Sequence, residues 1–128
     1  MDPSIRRVTA GLRCFGPAST ARCWPADNLS IHRAIELAAA GDVLAIDGGA
    51  AEDVALVGDI LVYAVRLRGV AGVVLQGLVR DRAAIAAQGL PVFARGATAR
   101  GPVKETLKAL ATGHTTVDLL GLRAKLPQ

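Results

Sequence analysis

The sequence predicts an α/β fold in one domain over residues 1–128, and two patterns carry this prediction. Short apolar runs near glycine or proline recur at Val43–Asp47, which ends in an acid, and at Val73–Leu75 and Pro91–Ala94. Such runs are typical of strands that are buried on both faces of a sheet. Segments with the apolar spacing of amphipathic helices lie between them. Regular alternation of strands and helices favours an α/β architecture.

Composition limits the classes of protein to which the chain can belong. Half of its 128 residues are hydrophobic but only 3% are aromatic, so the core must be aliphatic. The net charge of +4 comes from scattered arginines. Nucleic-acid binding usually needs a dense basic stripe with aromatic side chains for stacking, so we do not expect a nucleic-acid partner.

Compartment is predicted from what the sequence lacks. No window approaches the ~20 apolar residues that span a bilayer, and the first residues have no apolar signal segment. Cys14 and Cys23 are the only cysteines. One pair in a chain of this size is not a disulfide framework, and we expect two reduced thiols in a cytoplasmic protein.

The first third of the chain predicts two strands and a helix. A short strand is expected around Arg6–Ala10 and a second one over Ala18–Cys23. Asp27 is typical of a helix N-cap, and apolar residues then recur at helical spacing over 28–39. Gly41 is expected to end that helix, because glycine favours the left-handed conformation that follows a helix.

Residues 50–68 are ambiguous. Their apolar spacing suits one long helix. Gly58 and Asp59 could instead break it, with Asp59 capping a helix over 60–68. Gly69 would then end that helix.

The remaining elements follow the same alternation. A turn at Gln76-Gly77 follows the strand Val73–Leu75. Asp81 is placed to cap a helix over 82–88, which Gly89 closes. The C-terminal third is predicted to contain the strand Pro91–Ala94, a weak helix at Val103–Ala111 and a strand at Thr115–Leu120.

Two candidate sites lie where helices begin after apolar strands. If a helix begins at Asp59, the amides of residues 60–62 lack helical partners and form an anion site with the positive helix end. Arg80 can grip a carboxylate, and the adjacent Asp81 can take a hard divalent cation. Asp47 ends a strand at the same edge of the sheet. Each aspartate also fits an ordinary cap or turn, and spacing alone does not separate these interpretations.

Other familiar chemistry is missing from the pattern. His32 and His114 have no partner at metal-ligand spacing. Cys23 has no nearby histidine to activate a thiol nucleophile. No phosphate loop, dinucleotide-binding glycine motif or serine nucleophile elbow is present.

An ordered series of motifs between Gly16 and about Glu105 resembles the RraA-like family. That family holds the regulator of ribonuclease E activity and the class II 4-hydroxy-4-methyl-2-oxoglutarate aldolases. The matching segments are Gly-Pro-Ala-Ser-Thr-Ala-Arg-Cys, Asp27-Asn28-Leu29, Gly-Asp-Val-Leu-Ala-Ile-Asp-Gly-Gly, Gly58-Asp59-Ile60-Leu61, Arg68-Gly-Val-Ala-Gly-Val-Val, Gly-Leu-Val-Arg80-Asp81, Leu-Pro-Val-Phe-Ala-Arg-Gly and Gly-Pro-Val-Lys. The resemblance implies a layered domain with a mixed sheet, of the swivelling-domain type, shortened at both termini.

The same resemblance implies an aldolase site. Within the segment Gly58–Leu61, the amides of Ile60 and Leu61 would hold the carboxylate of a pyruvate-like group. Arg80 would bind its keto or carboxylate oxygen. Asp81 would ligate Mg²⁺ or Mn²⁺, and Asp59 would position a metal-bound water. The metal would stabilise the pyruvate enolate, and the water would relay the proton.

Three departures from the family pattern keep other functions open. Ala84 replaces an acid three residues after the metal ligand, and Gln76 replaces an aspartate before Gly77. The third departure is in the C-terminal part, which does not match the family pattern. In the family, this part of a neighbouring subunit supplies an acid to the site, and no corresponding acid is found in this sequence.

The leading hypothesis is a metal-dependent lyase that releases pyruvate from a 2-oxo acid, by aldol cleavage or oxaloacetate decarboxylation. The alternatives are a non-catalytic regulator of an RNase or another protein, and a member recruited to another biosynthetic pathway.

The family resemblance and the missing terminal strands also predict self-association. Uncovered apolar sheet surface favours contact with another copy of the chain. We expect a homo-oligomer, either a trimer or a hexamer.

Overall fold

A computed structural model describes residues 3–49 and 53–99, together with two strands at 116–119 and 122–125. It contains three helices and ten strands within these residues. In chain order they are β1 (Arg6–Arg7), β2 (Ala18–Arg22), α1 (Leu29–Leu37), β3 (Val43–Asp47), β4 (Ala55–Val57), α2 (Asp59–Leu67), β5 (Gly72–Gln76), β6 (Leu78–Val79), α3 (Arg82–Ala87), β7 (Val92–Ala94), β8 (Gly96–Ala97), β9 (Thr116–Leu119) and β10 (Leu122–Lys125).

The main sheet has five strands in the order β1-β7-β5-β3-β2. Strands β2, β3, β5 and β7 run parallel, and β1 pairs with β7 in the antiparallel direction. The predicted α/β fold with a mixed sheet is therefore confirmed. Parallel neighbours need crossover connections, and α1, α2 and α3 lie in those crossovers.

Burial within the main sheet alternates along the strands. In β3, Leu44 and Ile46 are buried, whereas Val43 and Ala45 are only partly covered. The expectation that this strand is buried on both faces was therefore wrong. An unbroken apolar run shows that neither face is strongly polar, but it does not show how fully each face is covered. The helices contribute Ile31, Val62, Val65 and Ile85 to the same aliphatic core.

A second, three-stranded parallel sheet continues the first. Its order is β4-β6-β8. Strand β6 is separated from β5 by Gly77 alone, and β8 is separated from β7 by Arg95 alone. The Arg95 amide donates to the Gly77 carbonyl at 2.9 Å, so hydrogen bonding continues through the breaks. These three short strands were not predicted.

The junction between the two sheets requires glycine at position 48. The Gly48 amide donates to the carbonyl of Gln76 at 3.0 Å. A Cβ atom on Gly48 would lie inside van der Waals contact with that same carbonyl oxygen and 2.8 Å from Cδ1 of Leu56. The close approach of the backbones therefore excludes any side chain here.

The ambiguity in residues 50–68 is resolved in favour of a break. Residues 55–57 form β4, Gly58 is the N-cap, and α2 begins at Asp59. Asp59 is therefore the first helical residue rather than the cap. Gly69, with a φ of 74°, follows the helix as predicted.

The first helix is shorter than predicted. Asn28 is its N-cap, although Asp27 Oδ1 accepts a hydrogen bond from the Leu29 amide at 2.8 Å. The helix ends at Leu37, so Gly41 does not end it directly. Gly41 lies in the turn before β3, where its amide donates to the Gly69 carbonyl.

Two C-terminal predictions meet different outcomes. The strand predicted at Thr115–Leu120 is present as β9, which forms an antiparallel hairpin with the unpredicted β10. The helix predicted at Val103–Ala111 lies outside the described residues. No helix in the described part of the chain is long and apolar enough to cross a membrane.

Candidate functional site

The second sheet, β4-β6-β8, brings the segment around Gly58 and Asp59 next to the segment around Arg80 and Asp81. Strands β4 and β6 are parallel neighbours, and each is followed directly by a helix start. The amide of Arg80, just after β6, donates to the carbonyl of Val57 at 3.0 Å. Gly58 and Asp59 therefore lie beside Arg80 and Asp81 at the carboxyl edge of the sheet, where open α/β sheets bind ligands.

Gly58 is packed against the side chains of its neighbours. A Cβ atom at this position would lie 3.1 Å from Arg80 Nε and 3.2 Å from Asp81 Oδ2. Its φ of −118° is accessible to any residue, so backbone conformation does not require glycine. Glycine is favoured here because it leaves room for the guanidinium and the carboxylate. The sequence placed Gly58 in the site, and the structure supplies this reason.

The first turn of α2 has fewer open amides than predicted. The Ile60 amide donates to Oδ1 of Asp59 at 2.9 Å, and the Val62 amide donates to the Gly58 carbonyl at 3.1 Å. The expectation that the amides of residues 60–62 are all unpaired was therefore wrong. The carbonyl four residues before Leu61 is that of Val57, which accepts from Arg80. Among the amides of residues 60–62, that of Leu61 has no acceptor within the described residues and is available to a ligand.

Arg80 and Asp81 form a loose ion pair. Arg80 Nε lies 3.7 Å from Asp81 Oδ2, and each side chain is about half exposed. Asp81 is the N-cap of α3, as predicted, but its backbone is left-handed and its side chain makes no capping hydrogen bond. Its carboxylate faces Gly58 and Arg80 instead. Asp81 thus keeps its carboxylate available to a ligand while occupying a cap position.

Gln88 is a residue of this region that the sequence did not reveal. It is the C-cap of α3, and its Nε2 atom donates to the backbone carbonyl of Asp59 at 2.8 Å. This bond joins the end of α3 to the start of α2. A glutamine before Gly89 is typical of a helix end, and its spacing carries no signal that it reaches 29 positions back along the chain.

The donors at the site suit a hard divalent cation with few protein ligands. Within residues 3–49 and 53–99, no group of three or more His, Cys, Asp or Glu side chains could hold a metal. Asp81 offers a half-exposed carboxylate, and Asp59 is the other acid in the same region. Mg²⁺ is commonly held by one or two carboxylates, with water and substrate completing its coordination. The residues therefore fit Mg²⁺ or Mn²⁺ bound mainly through water and substrate.

Asp47 has a structural role at the turn after β3. Its Oδ1 atom accepts from the Gly49 amide at 3.0 Å, and its Oδ2 atom lies 3.4 Å from Arg22 Nε. The turn-forming interpretation accounts for the bond to Gly49, and the contact with Arg22 joins residues that pair across β2 and β3.

Cys23 is buried next to the turn at Gly48-Gly49. Burial raises the pKa of the Cys23 thiol to about 12, and the negative charges of Asp27 and Asp47 add to this rise. A thiol that remains protonated is a poor nucleophile. This agrees with the prediction that Cys23 is not a catalytic nucleophile.

Comparison with solved structures identifies the class of fold. The RNA-processing inhibitor RraA from Thermus thermophilis matches with a TM-score of 0.75 and 27% identity, over 98% of this chain and 74% of that one. A structure from Geobacillus kaustophilus named S-adenosylmethionine: 2-dimethylmenaquinone methyltransferase matches with a TM-score of 0.72 and 31% identity, over 95% of this chain and 73% of that one. The fold is therefore that of RraA, although proteins with this fold carry different functional names.

Sequence comparison identifies the family. The family model described as RraA-like, Aldolase/RraA, matches residues 1–121, and the chain belongs to this family. A protein of Alkalilimnicola ehrlichii is 34% identical over 95% of this chain and 73% of its own length. One of Halalkalibacterium halodurans is 37% identical over 77% of this chain and 47% of its own length. Both bear the name "Putative 4-hydroxy-4-methyl-2-oxoglutarate aldolase".

Proposed function

We propose that the protein is a divalent-metal-dependent lyase that releases pyruvate from a 2-oxo acid. The observation that carries this proposal is the packing of Arg80 and Asp81 against the backbone of Gly58 at the start of α2. It brings a guanidinium, a half-exposed carboxylate and a helix N-terminus to one place. A small, doubly charged 2-oxo acid presents the carboxylate and keto oxygens that such groups bind.

Each residue has a distinct role in this proposal. The Leu61 amide and the positive end of α2 bind the substrate carboxylate. The Ile60 amide joins them only if Asp59 turns its carboxylate away from that amide. Arg80 binds the keto or carboxylate oxygen with its charged N–H groups. Asp59, once turned, would hold a water molecule that supplies a proton.

Asp81, with Asp59 beside it, would hold Mg²⁺ or Mn²⁺. When bound, the metal supplies Lewis-acid stabilisation of negative charge on the substrate oxygens. In oxaloacetate decarboxylation the bond between C3 and C4 breaks and C4 leaves as CO₂. The electron pair moves to C3 and the C2 oxygen, and a proton from water then adds at C3 to give pyruvate. In retro-aldol cleavage the water held by Asp59 takes the proton of the C4 hydroxyl as the bond between C3 and C4 breaks. The electron pair again moves to C3 and the C2 oxygen, C4 leaves as a carbonyl compound, and the water returns a proton to C3.

We also propose that the chain works as a homo-oligomer, a trimer or a hexamer. Ile60, Tyr63 and Leu67 follow one face of α2 and are 75%, 48% and 67% exposed. An apolar helix face of this kind next to the site is suited to contact with a second copy. Such a contact would also exclude water from the residues that bind the substrate.

A non-catalytic regulator remains the second candidate. It is supported by the match to a structure named as the RNA-processing inhibitor RraA. In that case the exposed face of α2 would bind a partner protein such as an RNase, and the residues at the carboxyl edge would contribute no turnover.

One assay separates the two candidates. Pyruvate release from oxaloacetate and from 4-hydroxy-4-methyl-2-oxoglutarate is measured with added Mg²⁺, with Mn²⁺ and with EDTA. A lyase gives metal-dependent release above the rate of the metal alone in solution. Release equal to that background with both substrates favours the regulator.

A further inference from the structure

Gln88 joins the two helices that carry the candidate site. Its side-chain Nε2 atom donates to the Asp59 carbonyl at the start of α2. Its backbone carbonyl accepts from Nη1 of Arg66, near the end of α2, at 3.2 Å. Both ends of α2 are therefore bonded to the last turn of α3, the helix that begins just after Asp81.

The side-chain bond of Gln88 adds little to the free energy of unfolding. The Asp59 carbonyl lies in the first turn of a helix, where it accepts a bond from the amide four residues later. The Oε1 atom of Gln88 is buried and has no hydrogen-bond partner among the described residues. An unpaired buried acceptor is destabilising and offsets the bond that Nε2 makes. An apolar side chain of the same length would remove both effects, so stability alone does not explain a glutamine here.

We infer that Gln88 is a positioning residue for the proposed site. By holding the Asp59 carbonyl it fixes the first turn of α2 relative to Arg80 and Asp81. That turn carries the Asp59 carboxylate and the Leu61 amide. The catalytic consequence rests on the proposed lyase function, whereas the holding of α2 is a property of the structure alone.

Two variants test this inference. Gln88→Met keeps the length of the side chain but removes the donor to Asp59 and the unpaired acceptor. Arg66→Met is the matched control, because it removes the other bond between α2 and α3 without touching Asp59. Both changes replace a side chain that donates a hydrogen bond between α2 and α3 by the same apolar one.

Three measurements are made on each purified protein: amide hydrogen exchange over residues 59–63, the melting temperature, and kcat and KM for oxaloacetate with Mg²⁺. Gln88→Met should exchange faster over residues 59–63 and lose roughly tenfold in kcat/KM, because small displacements of positioning groups are costly. Its melting temperature should stay within about 3 °C of the wild type. Arg66→Met should retain wild-type exchange over residues 59–63 and wild-type kcat/KM.

Several results would overturn the inference. Unchanged exchange over residues 59–63 in Gln88→Met would show that the bond does not hold the turn. Unchanged kcat/KM despite faster exchange would show that the turn's position does not affect the reaction. An equal loss of kcat/KM in Arg66→Met would show that Gln88 acts only by holding α2 and α3 together, as Arg66 does. Faster exchange throughout the chain in Gln88→Met, with a lower melting temperature, would lead to the same conclusion. If the wild type releases no pyruvate, the proposed function fails, and the exchange measurement alone decides whether Gln88 holds α2.

Discussion

Two glycine-to-alanine substitutions should separate the fold from the site. Gly48 and Gly58 both lie at tight approaches, but against different kinds of atoms. The Cβ of Gly48→Ala would collide with the backbone carbonyl of Gln76, which is fixed between two strands. The Cβ of Gly58→Ala would meet side-chain atoms of Arg80 and Asp81, which are half exposed and can move.

The expected cost of Gly48→Ala follows from what the collision breaks. The Gly48 amide must move away from Gln76, and losing this hydrogen bond in a buried setting costs about 1–3 kcal/mol. Forcing a methyl group against Leu56 Cδ1 adds about 1–3 kcal/mol of overpacking strain. The sum is roughly 2–6 kcal/mol, which should lower the melting temperature of a chain this size by roughly 10 °C or more.

Gly58→Ala should keep the fold and impair the site. Its extended backbone suits alanine, and the reduced freedom of the unfolded chain offsets the weaker N-cap, so the change in stability is within about 1 kcal/mol. Arg80 and Asp81 must move by a few tenths of an ångström, and kcat/KM for oxaloacetate should fall roughly tenfold or more. Calorimetry and a coupled pyruvate assay on both variants check these values. Wild-type kcat/KM in Gly58→Ala, or a wild-type melting temperature in Gly48→Ala, would refute the reasoning.

The remaining predictions concern Ala84, Cys23 and Leu67. Ala84→Glu should raise pyruvate release with Mg²⁺ severalfold, because it restores an acid one turn after Asp81, and steady-state assays at matched metal concentration check this. The Cys23 thiol should resist iodoacetamide in the native protein at pH 8 and react in urea. Because the pKa of Cys23 is raised to about 12 from the ordinary value of 9.0, its contribution to stability is complete below pH 9 and is lost as the pH rises toward 12; urea titrations at pH 8 and 11 on wild type and Cys23→Ser measure that loss. Leu67→Glu should dissociate the homo-oligomer, whereas light scattering that shows a stable wild-type monomer at micromolar concentration would contradict the assembly.

The main sheet could be predicted because each of its long strands carries its own signal. Val43–Ile46 is an uninterrupted apolar run that is followed by Asp47 and two glycines, and the predicted bounds Val43–Asp47 match the observed strand. Strands β4, β6 and β8 could not be predicted in the same way, because they are two or three residues long. Ala55–Val57 in addition fits the helical spacing of the residues around it. Its strand conformation comes from pairing with Leu78 and Val79, which are more than twenty positions away.

In the candidate site, the residues could be predicted from the sequence but some of their hydrogen bonds could not. Family motifs placed Gly58, Asp59, Arg80 and Asp81 together, and the structure brings these residues to one edge. The motifs could not reveal that the Asp59 carboxylate pairs with the adjacent amide of Ile60. This bond depends on a side-chain rotamer and on where the helix begins, and neither follows from spacing.

Long-range contacts of single side chains were also beyond the sequence. Gln88 reaches Asp59 because α2 and α3 pack side by side, a consequence of the parallel pairing of β4 and β6. No local pattern at residue 88 records that packing.

Metal-dependent pyruvate release by wild type and Asp81→Asn tests the proposed function most directly. Both proteins are assayed on oxaloacetate with Mg²⁺, with Mn²⁺ and with EDTA, against the metal-catalysed background. Asp81→Asn keeps the size of the side chain and removes the negative charge that would bind the cation. We predict release by the wild type with either metal, loss of release in EDTA, and no release above background by Asp81→Asn under any condition. Release that survives both EDTA and Asp81→Asn would contradict the proposed metal-dependent mechanism.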